Sequence, residues 1–172
     1  MSATIRNFEK RDQEVVRSLV LEGLAERWGP AFDPSYNQDI LDIHSYYVEH
    51  HRATVVVLED SEHGIIGCGI LLPLPAEDIY GTWCSEQASR TEQLTGHKLC
   101  RMMRLSVAKD HRGKGYAKKI IQHLINAAKE QGFDRILVET ETLWTSAVQI
   151  YRAMGFQVVE AGEENIHYEY EL

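Results

Sequence analysis

Arg112-Gly113-Lys114-Gly115-Tyr116-Ala117 is the stretch that decides the fold of this chain. The apolar residues 105–108 precede it, and residues 117–128 repeat hydrophobic side chains at helical spacing. Two glycines therefore lie where a predicted strand leads into a predicted helix. Such a turn offers unpaired backbone N–H groups and the positive end of the helix dipole to an anion. Since the glycines leave the approach open and Arg112 and Lys114 add positive charge, the stretch predicts a phosphate or pyrophosphate site.

The spacing of the glycines excludes two common phosphate loops. A P-loop has four residues between its glycines, followed by Lys and then Ser or Thr, but a single residue separates Gly113 from Gly115. A dinucleotide-binding turn needs Gly or Ala three residues after its second glycine, and that position is Lys118. The pattern that does fit is Arg-x-x-Gly-x-Ala, which resembles the acetyl-CoA signature of the GNAT superfamily of N-acetyltransferases. The preceding Leu105-x-Val107 matches the strand of that superfamily.

A second motif strengthens this resemblance. Residues 147–156 read Ala-Val-Gln-Ile-Tyr-Arg-Ala-Met-Gly-Phe and are similar to the superfamily's Ala-x-x-x-Tyr-x-x-x-Gly-Phe helix beside the CoA thiol. Gly155 suits the left-handed residue that ends such a helix. The resemblance extends over residues 53–160, whereas the first 50 residues match only in the order of their elements. It implies an α/β fold with a single mixed, mostly antiparallel sheet and helices on both faces.

Length and composition predict a single domain over residues 1–172, and the resemblance implies that it is an N-acetyltransferase domain. The net charge of −8 argues against nucleic acid as a partner. The three cysteines, Cys68, Cys84 and Cys100, form no C-x-x-C pair, which indicates a reduced, cytoplasmic protein. The amino-terminal residues have no apolar core of a signal peptide, and the longest apolar stretch, residues 64–75, is too short to span a bilayer. We therefore expect no membrane partner.

Hydrophobic periodicity and turn residues predict the following elements. Strands are expected at residues 4–8, 54–58, 65–72, 99–108, 135–140, 157–160 and 167–172, and helices at 12–28, 38–48, 115–131 and 145–154. Asp12 is the predicted N-cap of the first helix. The polar segment 79–97 has no clear periodicity and is long for a loop, which favours a binding segment or a short helix.

The resemblance implies how acetyl-CoA would be held as co-substrate. The backbone of the central strand would pair with the pantetheine arm, the N–H of Val107 would stabilise the oxyanion, and the glycine turn would hold the pyrophosphate. The superfamily often has Asn where this chain has Trp144, so Trp144 either stacks on the cofactor or lines the substrate pocket. The predicted cofactor-binding residues are Leu105, Ser106, Val107, Arg112, Gly113, Lys114, Gly115, Tyr116, Ala117 and Trp144.

The catalytic candidates follow from the same motifs. The resemblance makes Tyr151 the general acid for the leaving thiolate, and the alternative is a tyrosine that only packs in the core. Glu139 is the candidate general base, because it lies near the end of the strand after the long helix. Glu141 lies close by, and either carboxylate could relay a proton through water.

Strand alternation separates the side chains of the central strand. It puts Met103, Leu105 and Val107 on the face that the long helix covers, and Arg104 and Ser106 on the face where the substrate would lie. Arg104 either binds a carboxylate of the substrate or pairs with a neighbouring acid such as Glu139. Arg104 and Glu141 are thus the predicted substrate residues.

The remaining aromatic residues and the histidines give no specific functional assignment. Trp28 and Trp83 could line the acceptor pocket or pack elsewhere. His50-His51 has no second ligand cluster with metal spacing, so we predict no metal site. The sequence thus predicts an N-acetyltransferase that uses acetyl-CoA on a small amine acceptor by direct attack in a ternary complex. A non-catalytic acyl-CoA sensor, a transferase of longer acyl groups and assembly as a homodimer stay open.

Overall fold

The computed structural model describes residues 3–74 and 96–172 of the chain. Most of the segment 79–97, together with Trp83 and Cys84, lies outside these described residues. The strands are β1 (Ala3–Asn7), β2 (Thr54–Asp60), β3 (Gly64–Pro73), β4 (Leu99–Val107), β5 (Arg135–Glu141), β6 (Gln157–Ala161) and β7 (Asn165–Glu171). The helices are α1 (Gln13–Trp28), α2 (Tyr116–Glu130) and α3 (Thr145–Ala153), with short 3-10 turns and a π-helix at His44–His50.

Within the described residues, the seven strands form one sheet in the order β1-β2-β3-β4-β5-β7-β6. All neighbours are antiparallel except β4 and β5, which run parallel. One hydrophobic core joins α1 to one face of the sheet, and a second joins α2 and α3 to the other face. The predicted fold class, a mixed and mostly antiparallel sheet with helices on both faces, is confirmed.

The long helix α2 lies unusually close to β3. Its apolar stripe is fully buried, as the helical spacing predicts (Ile120, Ile121, Leu124, Ile125 and Ala128). A Cβ placed at Gly69 would lie 2.8 Å from Cγ2 of Ile120, and one at Gly67 would lie 2.9 Å from Cδ1 of the same residue. The two glycines therefore bring the helix onto the sheet and fix where its first turn meets the end of β4.

The predicted helix at residues 38–48 is wrong in form. A 3-10 turn at Gln38–Ile40 precedes a π-helix at His44–His50. The Asp42 side chain accepts the N–H of Ser45 (2.9 Å), and such local bonds compete with α-helical pairing. The irregular backbone still buries Ile40, Ile43 and Tyr47 in the core under α1.

Asp12 stands at the predicted N-cap position of α1 but does not cap the helix. Its carboxylate makes no capping hydrogen bond to that helix. It accepts instead from the guanidinium of Arg6 at 2.7 Å and from the N–H of Glu9 at 2.7 Å. A charged partner on β1 therefore takes the place of the neutral helix donor.

No helix within the described residues combines the length and apolar character that a bilayer span needs.

β4 bends at Arg104, and this bend changes the expected faces of the strand. Arg104 has φ 52°, and the β3–β4 register shifts by one residue at this point, between the pairs Cys68–Ser106 and Ile70–Met103. An extra residue in one strand is a β-bulge. Leu105 and Val107 contact the core under α2 as predicted, but Met103 contacts the core under α1. The predicted face of Met103 is therefore wrong, because the bulge breaks the alternation on which it rested.

Candidate functional site

The strands β4 and β5 separate after a short paired segment and leave a cleft. They pair only at Leu99–Arg101 against Arg135–Leu137, and a cleft of about 1010 Å³ opens beyond that point. Its walls come from β4, β5, the last turns of α1, the glycine turn and α3. The following predicted site residues line it: Arg104, Leu105, Ser106, Val107, Arg112, Gly113, Gly115, Tyr116, Ala117, Glu139, Glu141, Trp144 and Tyr151. Lys114 is not among the lining residues; it is exposed.

The glycine turn has the geometry of an anion site. Gly113 and Gly115 have φ 75° and 82°, and a Cβ at either position would meet no atom within 4 Å. Within the described residues, the N–H groups of residues 113–118 donate to no backbone or side-chain acceptor. They stand at the amino terminus of α2, where the helix dipole adds positive potential. An anion can therefore approach this turn and satisfy several donors at once.

Arg112 links this turn to two other walls of the cleft. Its Nε donates to the carbonyl oxygen of Val107 at 3.0 Å, and its Nη1 lies 3.0 Å from Oε1 of Glu26 at the end of α1. The charge of Arg112 holds the pKa of the Glu26 carboxyl below its usual value. Since both partners are exposed, an anionic ligand can compete with Glu26 for this guanidinium at little cost.

The free edge of β4 faces the cleft near Val107. The N–H of Ala108 donates to the carbonyl of Ile66 on β3 at 2.8 Å. Successive residues of a strand direct their N–H groups to opposite edges, so the N–H of Val107 points away from β3 and toward the gap. The bond from Arg112 to the Val107 carbonyl lies on that same edge. The backbone at Val107 can thus donate to a ligand placed between β4 and β5.

Tyr151 is both a core residue and a wall of the cleft. Its side chain is 5% exposed, and its ring meets Phe156 edge-on at 5.4 Å and Tyr168 at 5.7 Å. Burial raises the pKa of Tyr151 to about 12, while the charge of Arg27 works in the opposite direction. The phenol therefore stays protonated at neutral pH and can donate a hydrogen bond or a proton into the cleft.

The two carboxylates of β5 have different surroundings. Glu139 has a 5% exposed side chain, and its Oε2 lies 3.8 Å from Nδ1 of His167, the residue opposite it on β7. Burial and the charge of Glu164 raise the pKa of Glu141. A carboxyl group whose pKa is raised is a better proton acceptor near neutral pH.

Arg104 is tied to the segment after α1. Its Nη2 lies 2.7 Å from Oδ1 of Asp39, its Nε donates to Oδ2 of the same residue at 3.0 Å, and its Nη1 donates to Oδ1 of Asn37. The Tyr47 hydroxyl also donates to Asp39. Asp39 is 3% exposed and Arg104 12% exposed at the side chain. Arg104 thus pairs with an acid, but the expected partner Glu139 is wrong and Asp39 takes that place.

The carboxyl-terminal end of α1 supplies Arg27, which the sequence did not single out, and Trp28, which was expected either to line the acceptor pocket or to pack elsewhere. The guanidinium of Arg27 lies 4.5 Å from the ring centre of Trp144, and the ring of Trp28 meets the same ring edge-on at 5.8 Å. Trp28 and Trp144 both line the cleft. The signal in the sequence was the run Glu26-Arg27-Trp28, but its position beside the cleft depends on how α1 crosses the sheet.

Residues 3–74 and 96–172 contain no group of three His, Cys, Asp or Glu side chains placed to hold a metal ion. The pair His50 and His51 instead forms an edge-on ring contact at 4.6 Å.

Comparison with known proteins agrees with this geometry. The sequence model of the "Acetyltransferase (GNAT) family" matches residues 18–156. N-acetyltransferase 8F1 of Rattus norvegicus is 31% identical over 140 residues, which are 81% of this chain and 55% of that protein. The chain thus spans about half the length of the curated relatives it matches.

Solved structures share the fold at low identity. A GNAT acetyltransferase from Staphylococcus aureus Mu50 superposes with a TM-score of 0.77 at 17% identity, covering 99% of each chain. An acetyltransferase from Salmonella typhimurium, solved with its cofactor acetyl-CoA, gives a TM-score of 0.69 at 16% identity and covers 100% of this chain and 95% of its own.

Proposed function

Because this chain belongs to the GNAT acetyltransferase family, we propose that it is an N-acetyltransferase that uses acetyl-CoA as co-substrate. The acetyl group would pass to a primary amine of a small molecule or an amino-acid-like substrate, by direct attack in a ternary complex. The observation that carries this proposal is the turn at residues 113–118, whose N–H groups lack acceptors within the described residues and open into the same cleft as Tyr151.

The cleft fits acetyl-CoA at two places that are independent of each other. The glycine turn offers several N–H donors, a helix amino terminus and Arg112 to a pyrophosphate. The free edge of β4 at Leu105, Ser106 and Val107 offers backbone groups to the amide-containing arm. The Salmonella typhimurium neighbour was solved with acetyl-CoA, which supports the same ligand for this chain.

Acetyl-CoA supplies an activated thioester and leaves as a thiol. The N–H of Val107, on the free edge of β4, would donate to the carbonyl oxygen as negative charge develops there, which in other enzymes lowers the barrier by about 3 kcal/mol. Tyr151 would give its phenolic proton to the departing sulfur. Its raised pKa keeps that proton in place at neutral pH, so the tyrosine is ready to donate it.

A base must take the proton that the attacking amine loses. Glu139 is the first candidate, because it lines the cleft and His167 lies beside its carboxylate. Glu141 is the second, because its raised pKa brings the carboxyl closer to the pH at which it must accept a proton. Either can act directly or through water.

Arg104 and two tryptophans line the part of the cleft where the acceptor would bind. Arg104 was predicted to bind a substrate carboxylate, but Asp39 and Asn37 occupy the fork of its guanidinium. Trp28 and Trp144 form an aromatic wall across the cleft, which suits an acceptor with an apolar group. We further propose one domain over residues 1–172, a cytoplasmic location that fits the free thiols of Cys68 and Cys100, and a homodimer as the assembly to test.

The test is release of CoA thiol, followed with DTNB over a panel of amines, amino acids and polyamines. We expect turnover on at least one primary amine, with Tyr151→Phe reducing kcat by about 100-fold. The control is Tyr36→Phe, which alters another cleft tyrosine that is 74% exposed and should change kcat by less than about 3-fold.

Two results would contradict the proposal. Tight binding of CoA without turnover of any amine would indicate the acyl-CoA sensor instead. Faster turnover with longer acyl thioesters than with acetyl-CoA would reassign the donor. Calorimetric titration with CoA and a comparison of acyl-CoA chain lengths separate these cases.

A further inference from the structure

Arg27 is a cation in the cleft wall that the proposed mechanism does not use. It belongs to the last turn of α1, and its guanidinium lies over the ring of Trp144 at 4.5 Å from the ring centre. This distance is that of a cation–π contact. Trp144 directly precedes α3 and its carbonyl accepts the N–H groups of Ala147 and Val148. The ring therefore stands on a fixed backbone and holds the guanidinium in one place.

The other two arginines of the cleft already have acidic partners. Arg112 pairs with Glu26 and Arg104 with Asp39. Within residues 3–74 and 96–172, Arg27 makes its contact with an aromatic ring and no hydrogen bond or ion pair with a carboxylate. Its positive charge is therefore not cancelled locally, and a guanidinium stays protonated.

The position of Arg27 relates it to Tyr151. Trp144 is the residue before the first turn of α3, and Tyr151 lies in the same helix. Both line the cleft together with Arg27. The charges that act on Arg27 are those of Arg112, Tyr151 and Glu26, and the charge of Arg27 favours the ionised form of the Tyr151 phenol.

We propose that Arg27, held on the face of Trp144, is a positioning residue that stabilises the negative charge shared by Tyr151 and the departing sulfur. The inference rests on the proposed acetyl transfer. It also accounts for Trp144, the position at which this chain departs from the superfamily's Asn: an indole can hold a guanidinium on its face, which an amide cannot.

The proton and bond balance of the step is as follows. The amine nitrogen forms a bond to the acetyl carbon, the carbon–sulfur bond breaks, and the sulfur takes the electron pair. Tyr151 transfers its proton to that sulfur and becomes negatively charged. The proton lost by the amine restores Tyr151 through the base and solvent. The charge near Arg27 is thus negative on the sulfur or on the phenol throughout the step, and a fixed cation lowers the energy of both forms.

The experiment compares the wild type with Arg27→Met, Arg27→Lys and Trp144→Leu. The matched control is Arg152→Met, which removes the same charge one residue from Tyr151 on an exposed side chain outside the cleft. The first readout needs no turnover: the pKa of the thiol of bound CoA, followed by thiolate absorbance during a pH titration. We expect this pKa to be higher by about one unit in Arg27→Met and unchanged in Arg27→Lys and Arg152→Met.

The second readout is kinetic. Arg27→Met should lower kcat by about 10-fold while changing KM for acetyl-CoA by less than about 3-fold, and Trp144→Leu should follow in the same direction. Because Arg27 acts on the charge that Tyr151 and the sulfur share, the effects of Arg27→Met and Tyr151→Phe should not be additive. In Tyr151→Phe the sulfur carries the whole charge, so Arg27→Met should slow this variant by a larger factor than it slows the wild type.

Three results would overturn the inference. Equal thiol pKa values in the wild type and Arg27→Met would remove its basis. A higher KM at unchanged kcat would make Arg27 a ligand-binding residue. Additive effects of Arg27→Met and Tyr151→Phe would show that the two side chains act independently. Failure of the wild type to bind CoA would instead reject the proposed function, and the inference with it.

Discussion

Removal of Asp39 tests what Arg104 does in this protein. In Asp39→Ala the guanidinium of Arg104 keeps its charge at 12% exposure but loses the carboxylate that accepts from both its Nε and its Nη2. Breaking a buried ion pair by removing one partner costs about 3–5 kcal/mol. The Tyr47 hydroxyl loses its acceptor at the same time. We therefore expect the free energy of unfolding to fall by about 3–5 kcal/mol.

The assay is urea unfolding at neutral pH of the wild type, Asp39→Ala, Arg104→Met and the double variant Asp39→Leu/Arg104→Met. Each single variant removes one member of the ion pair, whereas the double variant replaces both charges with apolar groups. Such replacements are often close to neutral, so the double variant should unfold within about 2 kcal/mol of the wild type. Thiol release in the same variants reports whether the bulge at Arg104 still shapes the cleft.

The opposite pattern would refute this reasoning. If Asp39→Ala lost less than about 1 kcal/mol and Arg104→Met raised KM only for acceptors that carry a carboxylate, then Arg104 would be a substrate clamp and its pairing with Asp39 incidental. A coupling near zero between the two positions in the stability cycle would lead to the same conclusion.

Three further outcomes are expected. Since burial raises the pKa of Tyr151 to about 12, the phenol loses its proton only at strongly alkaline pH. The value of kcat should therefore rise with pH as the amine and the base lose protons, and it should not fall again below about pH 10. A fall in kcat near pH 8 that is absent in Tyr151→Phe would contradict this. Gly69→Ala should lower the unfolding free energy by about 1–3 kcal/mol, because the new Cβ would lie 2.8 Å from Cγ2 of Ile120. The control is Gly23→Ala in helix α1, where the nearest atom lies 3.9 Å away, and it should raise the unfolding free energy by about 0.5–1 kcal/mol. Equal effects of the two variants would show that α2 does not pack tightly against Gly69. Burial raises the pKa of Cys68 and Cys100 to about 12. DTNB should therefore react with no more than one of the three cysteines of the chain in the folded protein and with all three after denaturation. Rapid modification of Cys68 or Cys100 in the folded protein would contradict their burial.

The glycine turn and the Tyr151 helix could be predicted from the sequence because their chemistry is local. A single residue separates Gly113 from Gly115 between an apolar run and a helical stripe, and glycine readily adopts the positive φ values observed there. The faces of α2 follow from the period of its apolar residues in the same way. In the glycine turn, the Tyr151 helix and α2, residues close in sequence therefore determine most of the local structure.

Other parts of the cleft depend on contacts between distant segments. Arg104 and Asp39 are 65 residues apart, and no local pattern links a strand arginine to a 3-10 turn. Met103 fell on the unexpected face because alternation assumes a regular strand, and a residue with φ 52° interrupts it. Arg27 was missed for the same kind of reason, since its contact with Trp144 exists only where α1 crosses the sheet.

The bulge at Arg104 connects these observations into one physical account of the cleft. Arg104 adopts a backbone conformation that costs a non-glycine residue of order 1–3 kcal/mol, so its neighbours must hold it there, and the ion pair with Asp39 is one contact that does so. The bulge lies just beyond Arg101, where the short parallel pairing of β4 with β5 ends and the two strands separate. That separation leaves the N–H of Val107 without a strand partner and gives Tyr151 access to the same space. If the cleft depends on the bulge in this way, then variants that release Arg104 should weaken CoA binding at Val107 and at the glycine turn, although Arg104 itself need not contact the cofactor.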